Sequence, residues 1–237
     1  GMSLTLALQS ALTGLNVNQR VMSTISNNIA NANTEGYSRQ VVDLASINID
    51  GRGQGVRVED VVRKVDEFLQ EAIYSQLSEV GRSSIVNEYY ERAQILLGEP
   101  GSQNSIDEHI STFFNDLQAL ADAPGRSSSR AAVVEAAVNL SREIANLAEG
   151  FERLRLAADL EVSQSIDFIN DTLVDLHATN EAIANAEAFG TSKAALLDRR
   201  DGALRDLSEY MDVRSYQLED GRVHVYVGNG LSILDDS

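Results

Sequence analysis

Histidine is the side chain most often used to bind metals and to move protons near neutral pH, and the sequence contains three. His109, His177 and His224 fall in different predicted elements, and none belongs to an HExxH-type pair. The sequence contains no cysteine, which removes thiolate ligands, thiol catalysis and disulfides together. We therefore predict that the protein uses no metal or other cofactor and that its histidines occupy surface or packing positions.

Two other short patterns resemble sites for chemistry on a first inspection. Asp107 and Glu108 are adjacent carboxylates, but neighbours in sequence do not share a helix face, and the dipole at a predicted helix start explains them. The stretch "GRGQG" at 51–55 is a GxGxG pattern that leads into strand-like "VRVEDVV", whereas a dinucleotide-binding loop has GxGxxG and opens a helix. We predict a turn here and no phosphate site.

The stretch "LLDRRDGALRDL" concentrates six charged side chains on a predicted helix, and Asp201 and Arg205 are opposite charges four residues apart. The five considered as a possible site are Asp198, Arg199, Asp201, Arg205 and Asp206. Such spacing is typical of a solvated helix face crossed by salt bridges. With no acid–base pair, activated nucleophile or metal cluster indicated elsewhere, the sequence predicts a protein that is not an enzyme.

The composition favours long helices around an aliphatic core. Hydrophobic residues make up 43% of the 237 residues, aromatic residues 5%, and proline occurs twice. A formal net charge of −17 argues against nucleic acid or an anionic membrane surface as the main partner. No run approaches the roughly 18 apolar residues of a membrane span, and the N-terminus lacks the basic segment and cleavage site of a signal peptide.

Apolar periodicity predicts a mainly α-helical fold: a long-helix bundle with an N-terminal heptad helix, a short irregular β segment and a C-terminal β-hairpin. We expect four segments: 1–36, the N-terminal helix; 37–65, an extended β connection; 66–210, the bundle core; and 211–237, the hairpin. Because the sequence stops soon after a strand-like stretch, we expect the hairpin to lead to a further domain.

Local signals set the boundaries within these segments. Gly98 ends one helix, and "SIDE" at 105–108 is a capping box that opens the next. No proline interrupts residues 127–187, which are therefore predicted to form one helix. Its predicted apolar seam consists of Leu140, Ile144, Leu147, Phe151, Leu154 and Ala158. Asp220-Gly221 lies between two alternating runs, which is a strong hairpin signal.

The N-terminal stretch differs from the rest of the chain because, up to Thr34, its one charged side chain is Arg20. Its faces carry Ser, Thr, Gln and Asn in place of Lys and Glu, so we expect the helix to be surrounded by other protein. The residues expected at the assembly interface are Leu4, Leu8, Leu15, Met22, Ile25 and Ile29. The alternative is that this seam packs within the chain against the 127–187 helix.

The end of this helix has a defined chemistry. Asn31 and Asn33 tolerate left-handed backbone, Thr34 can bond nearby backbone, Gly36 permits positive φ, and Tyr37 has a large ring with a polar tip. The stretch "SLTLALQSALTGLNVNQRVMSTISNNIANANTEGYSRQ" resembles the N-terminal signature of bacterial flagellar axial proteins, a family of rod, hook and hook-associated proteins. The matching residues are Ser26, Asn28, Ile29, Ala30, Asn31, Asn33, Thr34, Gly36 and Tyr37.

Within that family, "GYSRQ" followed by long helices, and "LLDRRDGALRDLSEYMDV" followed by "VHVYVGNG", are similar to hook-associated members at the junction of hook and filament. The resemblance implies an extracellular structural subunit that passes through the flagellar type III export apparatus with an export chaperone. Its implied partners are copies of itself, hook protein and the next junction or filament subunits, with no nucleic acid and no membrane. Family members pair the N-terminal helix with a C-terminal helix, so the resemblance also implies that this sequence is an N-terminal fragment.

Two other kinds of function remain open at this point. The alternatives to a hook-associated subunit are another flagellar axial protein, of the rod or hook, and a helical binding or chaperone module. A binding module predicts a discrete complex with one partner and no self-assembly. An enzyme, such as a cell-wall hydrolase, would need paired carboxylates or a metal triad.

Overall fold

The computed structural model describes residues 4–49 and 52–235 and confirms a mainly α-helical fold with small antiparallel sheets. The helices are α1 (Leu4–Ala30), α2 (Glu67–Leu97), α3 (Ile106–Asp122), α4 (Ser127–Phe189) and α5 (Ala194–Ser208). The strands are β1 (Gln40–Ile49), β2 (Arg52–Arg63), β3 (Val213–Gln217), β4 (Val223–Val227) and β5 (Ser232–Leu234). Among the described residues, no helix is both long and apolar enough to cross a membrane.

The long helices end where the sequence predicts. Helix α2 ends at Leu97, and Gly98 follows with φ of 78°. Helix α4 contains 63 residues, a length of about 95 Å at 1.5 Å per residue. It ends before Gly190, whose φ is 62°. Glycine adopts these left-handed conformations without the steric cost that a side chain would add, which explains both helix ends.

Helix α3 begins at the predicted place but by a different contact. Ser105 is the N-cap residue, yet its side chain makes no capping hydrogen bond. Its fully buried hydroxyl instead donates to the carbonyl oxygen of Ser102 at 2.7 Å. The predicted capping box is therefore wrong in its chemistry, because the Ser105 side chain accepts no hydrogen bond from the first turn of α3.

The chain forms two compact units, Gly1–Val80 with Ile169–Ser237 and Gly81–Phe168. In the first unit, buried side chains from α2, α4, α5, β3 and β4 form one core. These side chains are Tyr74, Leu176, Ala203, Leu204, Leu207, Val213, Val223 and Val225. Aliphatic groups dominate this core, as the composition predicts.

The second unit contains the α4 seam predicted from the sequence, and two of its six members are wrong. Ile144 and Phe151 are exposed. The other four, Leu140, Leu147, Leu154 and Ala158, are partly buried. The inward position after Leu147 is Gly150, where an added Cβ would lie 2.8 Å from Leu96 Cδ2. Glycine at this position lets α2 and α4 approach closely, and an apolar-residue count cannot detect such a contact.

The sheets are two separate antiparallel arrangements, β1-β2 and β3-β4-β5. Gly221, with φ of 85°, turns the predicted hairpin between β3 and β4, and β5 adds a third strand that the sequence reading did not include. The turn predicted at 51–55 is wrong for residues 52–55, which belong to β2, where Arg52, Gly53 and Gly55 pair with β1. Residues 50 and 51, between the strands, lie outside the described residues.

Candidate functional site

Helix α1 packs against the β1-β2 hairpin through one narrow face. Val17 and Thr24 are 8% and 6% exposed, and both lie on this face. An added Cβ on Gly55 of β2 would overlap the hydroxyl of Thr13, so the strand and the helix are in close contact. The hairpin therefore covers α1 on a face that is rich in small and polar side chains.

The predicted assembly seam lies on another face of α1 and is exposed along its whole length. Its members range from 44% exposed for Ile25 to 88% for Leu4, and all are apolar. The set comprises Leu4, Leu8, Leu15, Met22, Ile25 and Ile29. The described residues of its own unit do not cover this seam. The residues of the covered face, such as Val17 and Thr24, lie one position before members of the four-and-three pattern that the seam follows. One residue corresponds to a rotation of about 100° around a helix, so the covered face and the seam point in different directions.

Asn28 connects the end of α1 to the start of β1. Its Nδ2 donates to the carbonyl oxygen of Gln40 at 2.7 Å, and its Oδ1 accepts from the Gln40 amide at 2.9 Å. The Tyr37 hydroxyl also donates to Asn28 Oδ1 at 2.9 Å. One side-chain amide thus holds both the returning strand and the aromatic ring that precedes it.

The remaining motif residues build the turn between these contacts. Asn31 Nδ2 donates to the carbonyl oxygen of Asn27 at 3.0 Å, and the Thr34 hydroxyl donates to Asn31 Oδ1 at 3.3 Å. Gly36 adopts the positive φ expected of it, 77°, and Asn33 is exposed in the same turn. The motif residues named from the sequence therefore lie at the end of α1 and in the turn after it, where the side chains of Asn28, Asn31, Thr34 and Tyr37 bond to one another or to nearby backbone.

A buried ionic cluster joins the ends of the hairpin to α5. Arg63 Nη1 lies 2.8 Å from Asp198 Oδ1 and 2.7 Å from Asp201 Oδ2, and all three side chains are at most 13% exposed. The backbone amide of Ser38, just before β1, donates to Asp198 Oδ2 at 3.2 Å. Asp198 thereby contacts the chain on both sides of the hairpin.

The prediction of a solvated charged face on α5 is correct for some of its residues and wrong for others. Arg199 and Asp206 are exposed, and Arg199 pairs with Asp175 of α4. Asp198 and Asp201 face inward, because Arg63 supplies the opposite charge from 135 and 138 positions away in sequence. No local spacing signals a partner that distant. The last charge of the group, Arg205, is partly buried and lies 4.0 Å from Glu35.

Asp201 extends the cluster into the core. Its Oδ1 accepts from Arg200 Nε at 3.3 Å, and Arg200 Nη1 donates to the carbonyl oxygen of Gly221. The Tyr74 hydroxyl donates to the carbonyl oxygen of Asp201 at 3.2 Å. Burial, reinforced by the charge of Asp201, raises the pKa of Tyr74 above its ordinary value. Burial opposes the charged form of Arg63, but Asp198 and Asp201 more than offset it, so the pKa of Arg63 is raised.

The histidines remain apart from these clusters. His109 lies in α3, His177 in α4 and His224 in β4, where its ring is 6.4 Å from that of Tyr226. Within residues 4–49 and 52–235, no three His, Asp or Glu side chains are grouped so as to hold a metal ion. The arrangement of this region serves to position a helix and a hairpin, and the chemistry it offers is hydrogen bonding, ion pairing and apolar contact.

Two family models match the sequence. One, described as the helical domain of flagellar hook-associated protein FlgK, matches residues 90–237, more than half of the chain. The other, described as flagella basal body rod protein, matches residues 8–37. The second match covers most of α1 and its motif, and the first covers α3 to β5.

Individual relatives agree with these matches. Flagellar hook-associated protein 1 of Bacillus subtilis is 28% identical over 91% of this chain and 45% of its own length. The protein of the same name from Escherichia coli is 24% identical over 97% of this chain and 43% of its own length. The chain therefore spans less than half the length of these curated relatives. A solved structure of the flagellar hook junction protein FlgK from Burkholderia pseudomallei matches with a TM-score of 0.57 and 24% identity, covering 70% of this chain and 28% of that one, which supports the fold.

Proposed function

This chain belongs to the FlgK family of flagellar hook-associated proteins, and from that membership we propose that it is a structural subunit of the junction between the flagellar hook and filament. The relatives that it matches are named hook-associated and hook junction proteins. We further propose that it joins the assembly through α1. The observation that carries this proposal is the exposed apolar seam of α1.

The exposed seam supports assembly because it is costly in an isolated molecule. Six large apolar side chains lie in water along one helix, next to a hairpin that covers a different face. Contiguous exposed apolar surface on a soluble protein usually marks a contact with another molecule. The surrounding side chains are uncharged apart from Arg20, so a partner could cover the helix without burying many unpaired charges. The surface thus suits burial among neighbouring helices.

The proposed partners follow from the family and from this surface. They are copies of the chain itself, hook protein and the next junction or filament subunits. We propose that the protein reaches the extracellular flagellum through the flagellar type III export apparatus with the help of an export chaperone. Nucleic acid, membrane, cofactor and catalysis have no place in the proposed function, whose chemistry is contact between subunits.

We propose that the four segments predicted from the sequence have separate roles in the assembled subunit. Residues 1–36 would make assembly contacts, residues 37–65 would connect them to the core, residues 66–210 would form the body of the subunit, and residues 211–237 would lead to a further domain. A rod or hook protein is the alternative within the flagellum, and a helical chaperone is the alternative outside it. The family match over residues 90–237 favours the hook-associated function.

The proposal is tested with one charge placed at three positions of α1. Ile25→Asp puts the charge in the exposed seam, Ser23→Asp puts it on a neighbouring exposed position, and Val17→Asp puts it on the face covered by the hairpin. Each protein is mixed with purified flagellar hooks and sedimented, and its thermal midpoint is measured separately.

We expect Ile25→Asp to lower hook binding at least tenfold with little change in midpoint, because its cost arises only when neighbours remove water from the site. Ser23→Asp should lower hook binding less than Ile25→Asp, because Ser23 lies outside the apolar seam. Val17→Asp should lower the midpoint, because a charge is buried in the free molecule. A chaperone-like module would instead give a discrete complex with a single partner and no hook binding by the parent, which would contradict the proposal.

A further inference from the structure

Helix α1 and the β1-β2 hairpin form a joined piece of structure that we call the N-terminal module, residues 4–49 and 52–63. Within it, Asn28 brackets Gln40, and Thr13 lies against Gly55. The exposed seam of α1 is therefore fixed relative to the hairpin. The direction in which the seam faces then depends on how the hairpin is attached to the rest of its unit.

The hairpin is attached at its open end, where its two strands enter and leave. Arg63 ends β2 and binds Asp198 and Asp201 through a single nitrogen, Nη1. Ser38 precedes β1, and its amide binds the second oxygen of Asp198. We call the set of Arg63, Asp198 and Asp201 the Arg63 joint. The hairpin is thus attached to α5 next to the start of β1 and at the end of β2.

Solvent-open space adjoins this joint. Two open clefts of about 250 and 200 Å³ lie beside it, and Arg63 and Arg200 line both of them. Buried Arg63 Nε has no hydrogen-bond partner among the described residues. The open clefts limit the apolar surface that can pack around the joint. The attachment of the module therefore relies on directional ion pairs more than on shape.

Buried ion pairs of this kind specify geometry better than they add stability. Removing charges from water is costly, and their attraction often does no more than offset that cost. They mainly restrict the relative orientation of the elements that carry them, since a guanidinium can hydrogen-bond to two carboxylates at once in few orientations. Asp201 is in turn held by the core. Its carboxylate accepts from Arg200, which also donates to the Gly221 carbonyl oxygen, and its backbone carbonyl oxygen accepts from the Tyr74 hydroxyl.

We infer that Arg63, Asp198 and Asp201 are positioning residues that set the direction in which the N-terminal module presents its assembly seam. The inference rests on the proposed function, because the seam must meet subunits at defined positions. The joint touches no partner itself. It acts by holding the module in one orientation on α5.

The experiment measures orientation and hook binding on the same variants. The sequence contains no cysteine, so two introduced cysteines can carry spin labels without competing sites. Ser23→Cys in α1 with Glu219→Cys beyond β3 reports the distance from module to core, and both positions are exposed. Ser23→Cys with exposed Glu59 of β2 changed to Cys reports distances inside the module and serves as the control pair.

The main variant is Arg63→Met with Asp198→Asn, which removes one charge of each sign and leaves Arg200 and Asp201 paired. A rescue variant, Arg63→Lys, keeps a cation that can reach both carboxylates. For the first variant we expect the module-to-core distance distribution to widen at least twofold, the control distribution to stay unchanged, and hook binding to fall at least tenfold. Arg63→Lys should restore most of the narrow distribution and of the binding.

The outcomes separate this inference from the function on which it rests. An unchanged module-to-core width in the double variant overturns the inference, and so does a widened distribution accompanied by parental hook binding. A widened control distribution also overturns it, because the joint would then be maintaining the fold of the module and not its direction. Failure of the parent chain to bind hooks overturns the proposed function and is visible without any variant.

Discussion

Asn28 and Gln40 exchange two hydrogen bonds, as two residues of paired strands would, although one member contributes a side chain and the other its backbone. The donor–acceptor distances are 2.7 Å from Asn28 Nδ2 to the Gln40 carbonyl oxygen and 2.9 Å from the Gln40 amide to Asn28 Oδ1. The side-chain amide has the same donor and acceptor as a peptide group. The Asn28 side chain thereby satisfies the Gln40 backbone as the backbone of a paired strand would.

The first prediction concerns this bracket. Asn28→Ala should leave the Gln40 amide and carbonyl groups without their partner and release the Tyr37 hydroxyl. We expect a local cost of about 1 to 3 kcal/mol, which corresponds to roughly a 5- to 150-fold acceleration of hydrogen exchange at the Gln40 amide. Asn18→Ala, at an exposed position of the same helix, is the control and should leave that exchange rate unchanged. Equal rates in the parent and Asn28→Ala would rule out a stabilising role for the bracket.

The second prediction concerns the close approach of Gly55 to α1. Gly55 has φ of 131°, and an added Cβ would meet Thr13 Oγ1 and lie 3.6 Å from Ser10 Cα. We expect Gly55→Ala to destabilise the module by about 1 to 3 kcal/mol through backbone strain and overlap. Thr13→Ala alone should change little, because its hydroxyl donates within its own helix to Ser10.

The double variant Gly55→Ala with Thr13→Ala separates the two causes. It should recover the part of the loss due to overlap, giving an interaction energy of at least about 0.5 kcal/mol in denaturant unfolding. Strictly additive effects would mean that strain alone accounts for the loss and that the helix does not press on Gly55.

The third prediction tests which members of the predicted α4 seam contribute to the core. Leu147 is partly buried and Ile144 is 55% exposed. Leu147→Ala should cost about 2 kcal/mol, near the lower end of the range for removing a large aliphatic side chain from a core. Ile144→Ala should cost less than about 0.5 kcal/mol. Denaturant unfolding of both variants measures the difference, and a cost of about 2 kcal/mol or more at both positions would restore the seam expected from the sequence.

The fourth prediction concerns acid sensitivity at the start of α3. Polar contacts with the Ser105 side chain and with the Gly101 amide, the latter at 3.2 Å, lower the pKa of Asp107 in the folded protein. The stabilisation from these contacts is then fully present above the ordinary carboxyl pKa and is lost as pH falls through the lower folded value. Nuclear magnetic resonance titration should find the titration midpoint of Asp107 below that of an unperturbed aspartate.

The matched variants are Asp107→Asn and Glu108→Gln, which each remove one carboxylate from the same helical turn. Between about pH 5 and pH 2, Asp107→Asn should lose less stability than the parent chain, since its contribution no longer titrates. Glu108→Gln controls for the general effect of lost charge. An Asp107 pKa at or above its ordinary value would show that the two donors do not hold the carboxylate.

Much of the fold is predictable from local signals. Apolar periodicity predicts α1, α2 and α4 because a helix closes its hydrogen bonds within four residues, so a short window contains all of its determinants. Glycine marks the helix ends at Gly98 and Gly190 for the same local reason. Strand β5 has three residues and forms only by pairing with β4, so its own stretch carries little signal.

The faces of the helices are less predictable than the helices themselves. In α1, a seam of Leu, Met and Ile is the obvious candidate for burial, yet the chain covers the neighbouring face that contains Val17 and Thr24. The hairpin accounts for this, because its close contact at Gly55 needs small side chains opposite. In α4, Gly150 likewise lies against Leu96 of α2, where a larger side chain would not fit.

The sequence by itself determined the long helices, the hairpins, the nearly uncharged N-terminal helix and the motif that places the chain in a flagellar family. Only the tertiary structure decided which face of α1 stays exposed and which charges are buried. Arg63, Asp198 and Asp201 illustrate the physical reason. Opposite charges on one helix predict pairing with each other, whereas burial depends on a cation from a strand 135 positions away, and its approach is decided by how the whole unit closes.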